Sequence, residues 1–228
     1  MVNIFLDLEM IPIPKDVQVD RDICRNEVIQ IGAVALNKHL DFVGEYTQIV
    51  KPYYSENITP VIYRLTGITT EVLRKGISFR EALITFSTWC DTMADEEGYE
   101  IYAWSNSDLI QLQQEMIVKE LTEFLDMKFM NVWKDFQYEF SELVGISSIM
   151  SLDKAIKALD IDFVGSQHDA LNDAKNTAKL YQLVQNKVEL EKAMKPIKKM
   201  MEPSKQLSTS MGSIFNLDMF DFGKETND

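Results

Sequence analysis

The sequence contains few of the residues that mark secreted or membrane proteins. It has two cysteines, Cys24 and Cys90, and their spacing is not that of a metal site. No apolar run reaches the roughly 18 residues that a membrane-spanning helix needs. The first residues carry acids instead of the basic start of a secretory leader. We therefore expect a cytoplasmic protein with reduced thiols and no membrane partner.

Basic residues are also scarce. The chain holds 23 Lys and Arg against 36 Asp and Glu, which gives a formal charge of −13. Residues 1–186 carry this whole excess, with 16 basic and 29 acidic residues, whereas residues 187–228 hold seven of each. This balance argues against a protein that grips nucleic acid by general attraction to the phosphate backbone. It does not exclude a nuclease, because bound metal ions can supply the positive charge that phosphate needs.

An apolar stretch with two acids opens the chain at residues 4–10. Asp7 and Glu9 alternate with leucines, so in a strand both carboxylates point to the same side of the sheet. Two adjacent carboxylates at a buried strand end repel each other unless a cation lies between them, and a divalent metal is the usual cation. The stretch therefore predicts part of a metal site.

The hydrophobic pattern predicts an α/β domain with a mixed five-stranded sheet flanked by helices. Strands are expected at residues 2–8, 27–36, 41–51, 99–104 and 129–132. Short links between the first three favour an antiparallel meander. Helices are expected at residues 59–65, 78–93, 107–121, 133–143, 151–159, 168–185 and 188–201. For the helix after Ser78, Glu81 completes a capping box.

The 228 residues are enough for one sizeable core with an appendage. We expect a main domain at residues 1–186, a C-terminal helix at 187–202 and a flexible tail at 203–228.

Further acids follow the strand end in a suggestive order. Asp108 lies at the junction between the fourth strand and a helix, and Asp173 lies on the penultimate helix, five residues after His168 and close to Asp169. Hydrolysis of a phosphodiester commonly uses two metal ions roughly 4 Å apart. Mg²⁺ and Mn²⁺ prefer carboxylate oxygens, and a neutral imidazole can take a proton from the attacking water. Three or four acids with a histidine fit this chemistry.

The motifs Asp7-x-Glu9, Asp108 and His168-x4-Asp173, in this order, resemble the DEDD superfamily of 3′→5′ exonucleases, in its His-containing (DEDDh, DnaQ-like) branch. The resemblance covers about residues 2–186. The Trp-Ser-Asn-Ser-Asp motif at 104–108 is similar to that of the KapD-like and histone-mRNA 3′-exonuclease branch. The resemblance implies an RNase H-like fold. It also implies that the four acids hold two Mg²⁺ or Mn²⁺ ions, with Asp7 bridging, and that His168 is the general base.

The same resemblance implies a substrate and its contacts. The expected substrate is the 3′ end of single-stranded RNA or DNA, from which 5′-mononucleotides are released. The branch leans towards RNA, but the sequence leaves the sugar open. Residues implied to contact the terminal nucleotides are Leu8, Met10, Leu65, Thr66, Gly67 and Ile68.

The C-terminal tail ends in an apolar cluster, which is unusual for a flexible segment and suggests a docking peptide. It resembles the short peptide by which bacterial replication and repair proteins dock on the sliding clamp, and the matching residues are Asn216, Leu217, Asp218, Met219 and Phe220. The alternative is a tail that folds back on its own domain or on a partner protomer.

Other interpretations remain open at this point. Asp108 alone could stabilise a helix start, and Asp173 alone could be a solvated helix acid. His168 with Asp169 also forms the pair found in metal phosphohydrolases, but these need more histidines, and His39 in a predicted turn is the only other one. A non-catalytic nucleic-acid-binding or adaptor protein on the same fold is the alternative function.

Overall fold

The computed structural model describes residues 1–55, 57–145 and 149–201. The expected tail at 203–228 and its candidate docking peptide at 216–220 therefore lie outside the described residues. Within the described ranges, the helices are all too short or too polar to cross a membrane.

A mixed sheet of six strands forms the centre of the described structure. In chain order the strands are β1 (Val2–Pro12), β2 (Asn26–Leu36), β3 (Phe42–Lys51), β4 (Ile77–Ser78), β5 (Tyr99–Ala103) and β6 (Trp133–Asp135). They lie side by side in the order β4-β3-β2-β1-β5-β6. The first three form the predicted antiparallel meander. β5 and β6 run parallel to β1, and β4 runs parallel to β3. The α/β prediction is confirmed.

Helices cover both faces of this sheet. Those that the structure describes are α1 (Pro60–Thr66), α2 (Thr70–Arg74), α3 (Phe79–Met93), α4 (Ser107–Val118), α5 (Phe136–Val144), α6 (Leu152–Ala158), α7 (Ala170–Gln185) and α8 (Lys187–Met201). Alternation along β1 separates two cores. Ile4, Leu6 and Leu8 pack with α3 and α4, whereas Phe5 packs on the other face with α5, α6 and α7.

The prediction of five strands was wrong by one. Ile77–Ser78 forms a short β4, and two residues are too few for an alternating pattern to be visible in the sequence. The strand expected at 129–132 was also wrong, because Lys128–Asn131 forms a 3-10 helix and β6 follows it. Phe129 and Met130 are buried, so this apolar run marked burial and not strand geometry.

Two expected helices begin later than the sequence suggested. The helix expected at 133–143 begins at Phe136, because its first residues belong to β6. The helix expected at 168–185 begins at Ala170, because His168 has a left-handed φ of 61° and Asp169 is the N-cap. The capping box of α3 is confirmed: Ser78 Oγ accepts from the Glu81 N–H, and the Glu81 carboxylate accepts from the Ser78 N–H.

α7 crosses β2 closely because Gly32 has no side chain. A Cβ at this position would lie 2.1 Å from the Leu171 nitrogen and 2.2 Å from the Ala170 carbonyl carbon. Gly32 is also the β2 partner of Asp7 in the sheet. The crossing therefore brings the first turn of α7 beside the acids of β1.

Candidate active site

Asp7 and Glu9 lie at the end of β1, where the neighbouring strand has already stopped. The last residues paired between β1 and β5 are Leu6 and Ala103. The chain then enters α4, whose first turn carries the buried Asp108. The Asp108 carboxylate lies against the backbone N–H of Leu8, a group that β5 does not pair. The strand end and the helix start thus bring three acids together.

Asp173 and His168 approach these acids from α7 and from the loop before it. The Asp173 Oδ2 atom accepts a hydrogen bond of 3.0 Å from the backbone N–H of His168. Within the described ranges, Glu9, His168 and Asp173 offer ligand atoms that all lie within 4.8 Å of one another. The left-handed backbone of His168 is a sparsely populated conformation of the kind that clusters at active sites. All five residues singled out from the sequence are therefore neighbours in space.

No lysine or arginine among the described residues forms an ion pair with the acids of this site. None of the ion pairs between described residues includes Asp7, Glu9, Asp108 or Asp173. Burial raises the pKa of Asp7 well above its usual range, and the neighbouring carboxylates raise it further. Burial likewise raises the pKa of Glu9 to about 8, that of Asp108 to about 7 and that of Asp173 to about 6. The site therefore resists ionisation unless a cation is added.

This donor set fits a divalent metal. Hard cations such as Mg²⁺ and Mn²⁺ take oxygen ligands, and each of the four acids offers a carboxylate. A divalent cation would relieve the repulsion that raises the pKa values of Asp7 and Glu9. The imidazole of His168 is close enough to contact an ion or a water molecule at this position.

Gln30 holds the start of α7 against the sheet, and the sequence analysis missed it. The side chain is buried, its Oε1 atom accepts a hydrogen bond of 3.3 Å from the Ala170 N–H, and its Nε2 atom donates to Asp169 at 3.2 Å. Asp169 also accepts from the Asn172 N–H as the N-cap of α7. A glutamine within the apolar run at 28–36 was the available signal.

Asn176 fixes the loop that carries His168, and it was also missed. Its side chain is fully buried and its Oδ1 atom accepts from the Val164 N–H at 2.9 Å. Its Nδ2 atom donates to the carbonyls of Val164 and Asn172. An amide at a buried helix position is costly unless it is fully hydrogen-bonded, so it pointed to such a role.

The residues expected to touch the terminal nucleotides lie in two places. The Leu8 side chain is buried in the core on the face opposite Asp7, its backbone N–H lies against the Asp108 carboxylate, and Met10 packs against the same core. The residues at 65–68 join α1 to α2, where Leu65 is exposed, Thr66 ends α1, Gly67 has a left-handed φ of 69° and Ile68 is buried. Their substrate contacts stay predictions.

The phosphohydrolase interpretation needs a second histidine near His168, and His39 is too distant to supply it. His39 follows the end of β2 at Leu36, which pairs with Asn3, whereas Glu9 pairs with Gln30. Six residues of strand separate these pairs, which is about 20 Å. His39 therefore lies at the opposite end of the sheet from His168 and cannot join the site.

The sequence matches the exonuclease family RNase_T over residues 4–181. This match spans well over half of the chain, so the protein belongs to that family. The resemblance to DEDDh exonucleases is confirmed.

Its curated relatives include 3′-5′ exonucleases. The probable 3′-5′ exonuclease KapD of Bacillus subtilis is 26% identical over 173 residues, which cover 75% of this chain and 79% of KapD. ERI1 exoribonuclease 2 of Xenopus laevis is 25% identical over 173 residues, or 68% of this chain. The match covers only 25% of the length of the frog protein.

A solved structure has the same fold. The nuclease domain of 3′hExo, a DEDDh family member solved with rAMP, superposes with a TM-score of 0.68 at 20% identity. The superposition covers 82% of this chain and 94% of that domain. The RNase H-like fold is therefore confirmed.

Proposed function

We propose that this protein is a metal-dependent 3′→5′ exonuclease that hydrolyses the ends of single-stranded RNA or DNA to 5′-mononucleotides. The observation that carries the proposal is the group of four acids, Asp7, Glu9, Asp108 and Asp173, with raised pKa values and His168 beside them. A structural cluster of this kind would be destabilising, whereas a site that binds cations requires it.

Each residue has a distinct role in this proposal. The four acids would hold two Mg²⁺ or Mn²⁺ ions, which would supply positive charge for the phosphate and make water a better nucleophile. His168 is exposed, and among the described residues its hydrogen bond runs through the backbone N–H, so the imidazole can take the proton from that water. Gln30 and Asn176 hold Asp173 and His168 in place.

RNA is the proposed preferred substrate. The frog relative carries the name exoribonuclease, and the 3′hExo domain was solved with a ribonucleotide. Discrimination between ribose and deoxyribose depends on contacts to the 2′-hydroxyl, and we assign these contacts to the residues at 65–68.

The test is degradation of 5′-labelled single-stranded RNA and DNA of equal sequence, with Mg²⁺, Mn²⁺ or EDTA. We expect a ladder of products that shortens from the 3′ end, and we expect EDTA to abolish it. RNA should be degraded faster than DNA. Asp173→Asn serves as the inactive control. Folded protein that degrades neither strand with metal present would reject the proposal and favour the non-catalytic adaptor, which calorimetry would then show to bind no metal.

A protein partner at the tail is a separate proposal that rests on the sequence alone. Deletion of residues 213–228 should remove binding to a sliding clamp and leave turnover on short oligonucleotides unchanged. Unchanged clamp binding after the deletion would reject this docking peptide.

A further inference from the structure

One segment of this acidic protein carries an excess of positive charge. Residues 51–80 contain five basic and two acidic residues, whereas the whole chain has a charge of −13. All five basic side chains are exposed: Lys51, Arg64, Arg74, Lys75 and Arg80. The segment includes α1, α2 and the residues at 65–68 that are expected to contact the terminal nucleotides.

Two clefts meet at an exposed tyrosine in this segment. Tyr53 is 79% exposed and lies in a wall, formed by residues 51–53, that both clefts share. One cleft, of about 430 Å³, is lined by Arg74. The other, of about 770 Å³, is lined by Arg80 and Lys119. Tyr53 thus stands between two clefts with basic linings.

The cleft that Arg74 lines is on the same face of the sheet as the active site. It is lined by Leu73, which packs against Ile11, and Ile11 follows Glu9 on one face of β1. Glu9, Gln30 and Ile49 pair across three strands, and Lys51 lies two residues beyond Ile49. Two strand spacings and two residues of strand place Lys51 roughly 12 Å from Glu9. A strand of a few nucleotides can therefore reach from the acids to Tyr53.

The backbone of Tyr53 is fixed although its ring is exposed. The buried Glu27 carboxylate accepts hydrogen bonds from three successive backbone N–H groups, at 2.6 Å from Tyr53, 3.0 Å from Tyr54 and 2.9 Å from Ser55. Lys119 lies 2.9 Å from Glu27, and the Tyr54 hydroxyl donates to the Val118 carbonyl. This network preorganises an exposed ring, which lowers the entropy cost of binding a ligand there.

We propose that Tyr53, with Lys51, Arg74 and Arg80, forms a binding track for the part of a single strand that lies 5′ to the nucleotide in the active site. A base stacks on Tyr53, and the three cations contact the phosphates on either side of it. Aromatic platforms flanked by positive charge are the common means of holding single strands without sequence preference. This track rests on the proposed function only in taking the active site as the position of the 3′ end.

Charge favours nucleic acid as the occupant. Lys51 and Arg74 belong to no ion pair among the described residues, and Arg80 lies 3.8 Å from the exposed Glu123. Such exposed ion pairs contribute little, so a phosphate can replace Glu123. The acidic remainder of the domain repels phosphate and leaves this segment as the favourable path.

The experiment measures affinity directly and does not need catalysis. Full-length protein in EDTA is titrated against a labelled single strand of about 12 nucleotides and against a dinucleotide, by fluorescence anisotropy. Tyr53→Ala should weaken binding of the long strand about tenfold more than binding of the dinucleotide. Tyr53→Phe should retain the long-strand affinity, because the ring still stacks. Tyr138→Ala is the matched control, since Tyr138 is 65% exposed and follows β6 at the other edge of the sheet.

The charges are tested by salt dependence. Arg74→Ala with Arg80→Ala should reduce the slope of log affinity against log salt by about 0.7 for each cation removed, while Lys192→Ala should not change it. Wild-type affinity for the long strand in both the Tyr53→Ala and the Arg74→Ala/Arg80→Ala variants would overturn the track, as would a wild-type protein that binds no long strand. Dinucleotide hydrolysis by the wild type separately reports on the active site.

Discussion

Two clusters of buried acids in this protein differ in how their charge is balanced. Glu27 and Glu115 are fully buried, and the Nζ atom of Lys119 lies 2.9 Å from the first and 2.6 Å from the second. Backbone N–H groups also donate to both carboxylates. The acids around Asp7 have no Lys or Arg partner within the described ranges, and burial and mutual repulsion raise the pKa of Asp7.

The cluster of Glu27, Glu115 and Lys119, which we call the balanced cluster, has a structural role. Burial opposes the charge on Lys119, but the Glu115 and Glu27 carboxylates outweigh it and raise the pKa of the ammonium group. Every charge there has a partner, so no ligand is required. The second cluster, which we call the unbalanced cluster, consists of Asp7, Glu9, Asp108 and Asp173. Burying these four acids together destabilises the fold, so we expect them to serve a function. The contrast therefore separates an ion pair network that joins β2 to α4 from a site that requires an added cation.

The largest expected effect comes from neutralising one unbalanced acid. Asp7→Asn keeps the shape of the side chain but removes a carboxylate that Asp108, Asp173 and Glu9 repel. A metal contributes several kcal/mol to a transition state, so we expect turnover to fall by about 1,000-fold or more. In EDTA the same variant should unfold at a higher temperature than the wild type, because one repulsive charge is gone.

Asp16→Asn provides the control for this substitution, because Asp16 is exposed on a loop. It should leave both turnover and thermal unfolding unchanged. Near wild-type turnover in Asp7→Asn would contradict the assignment of Asp7 to the metal site.

In the balanced cluster, removal of the cation should lower the stability of the protein. Lys119→Met leaves Glu27 and Glu115 buried without a cation, and breaking a buried pair costs about 3–5 kcal/mol of the free energy of unfolding. Urea unfolding measures this loss. The same variant with Glu27→Gln and Glu115→Gln should recover much of the stability, because no unpaired charge remains.

An exposed ion pair gives the matched control. Lys192 lies 2.7 Å from Glu189 on the surface of α8, and Lys192→Met should cost less than about 1 kcal/mol. Equal losses in Lys119→Met and Lys192→Met would show that the buried network contributes no more than a surface pair.

The sequence predicted the members of the unbalanced cluster but not the contacts that assemble it. Alternation placed Asp7 and Glu9 on one face, and the motif resemblance added Asp108, His168 and Asp173. The contact between Gln30 and Asp169 joins residues 139 positions apart, and no local pattern reports it. The close crossing at Gly32 depends likewise on the path of a distant helix.

The balanced cluster was invisible for the same reason. Glu27 and Lys119 come from β2 and the end of α4, and each looks like an ordinary surface residue in its own segment.

The errors in predicted secondary structure have local causes. β4 has too few residues to show a period, and the apolar run at Phe129 fits a buried helical turn as well as a strand.

A smaller effect should appear in the pH dependence of stability. Glu9, Asp108 and Asp173 have pKa values of about 8, 7 and 6 in the folded protein, above the values near 4 of an unfolded chain. The folded state then binds more protons between these limits, so stability falls as pH rises from about 5 to 8. In EDTA we expect a lower unfolding temperature at pH 8 by several degrees, measured by calorimetry.

Added Mg²⁺ or Mn²⁺ should reduce or reverse that fall, because the metal binds the ionised acids of the folded state. Asp7→Asn should make the dependence in EDTA shallower. Stability that rises with pH over this range in EDTA would contradict the raised pKa values.

The smallest expected effect concerns the uncharged side chain of Gln30 and tests whether its hydrogen bonds help to position the acids. Gln30→Ala removes the hydrogen bonds to Ala170 and Asp169 that fix the first turn of α7. We expect a loss of about 1 kcal/mol of stability, measured by urea unfolding, and a fall in turnover of a few-fold, because Asp173 becomes less firmly placed. Gln182→Ala is the control, since Gln182 is exposed at the other end of α7 and donates to the Leu40 carbonyl, away from the acids. Turnover equal in the two variants would mean that the Gly32 crossing alone positions Asp173, and that the carboxylates need no help from Gln30.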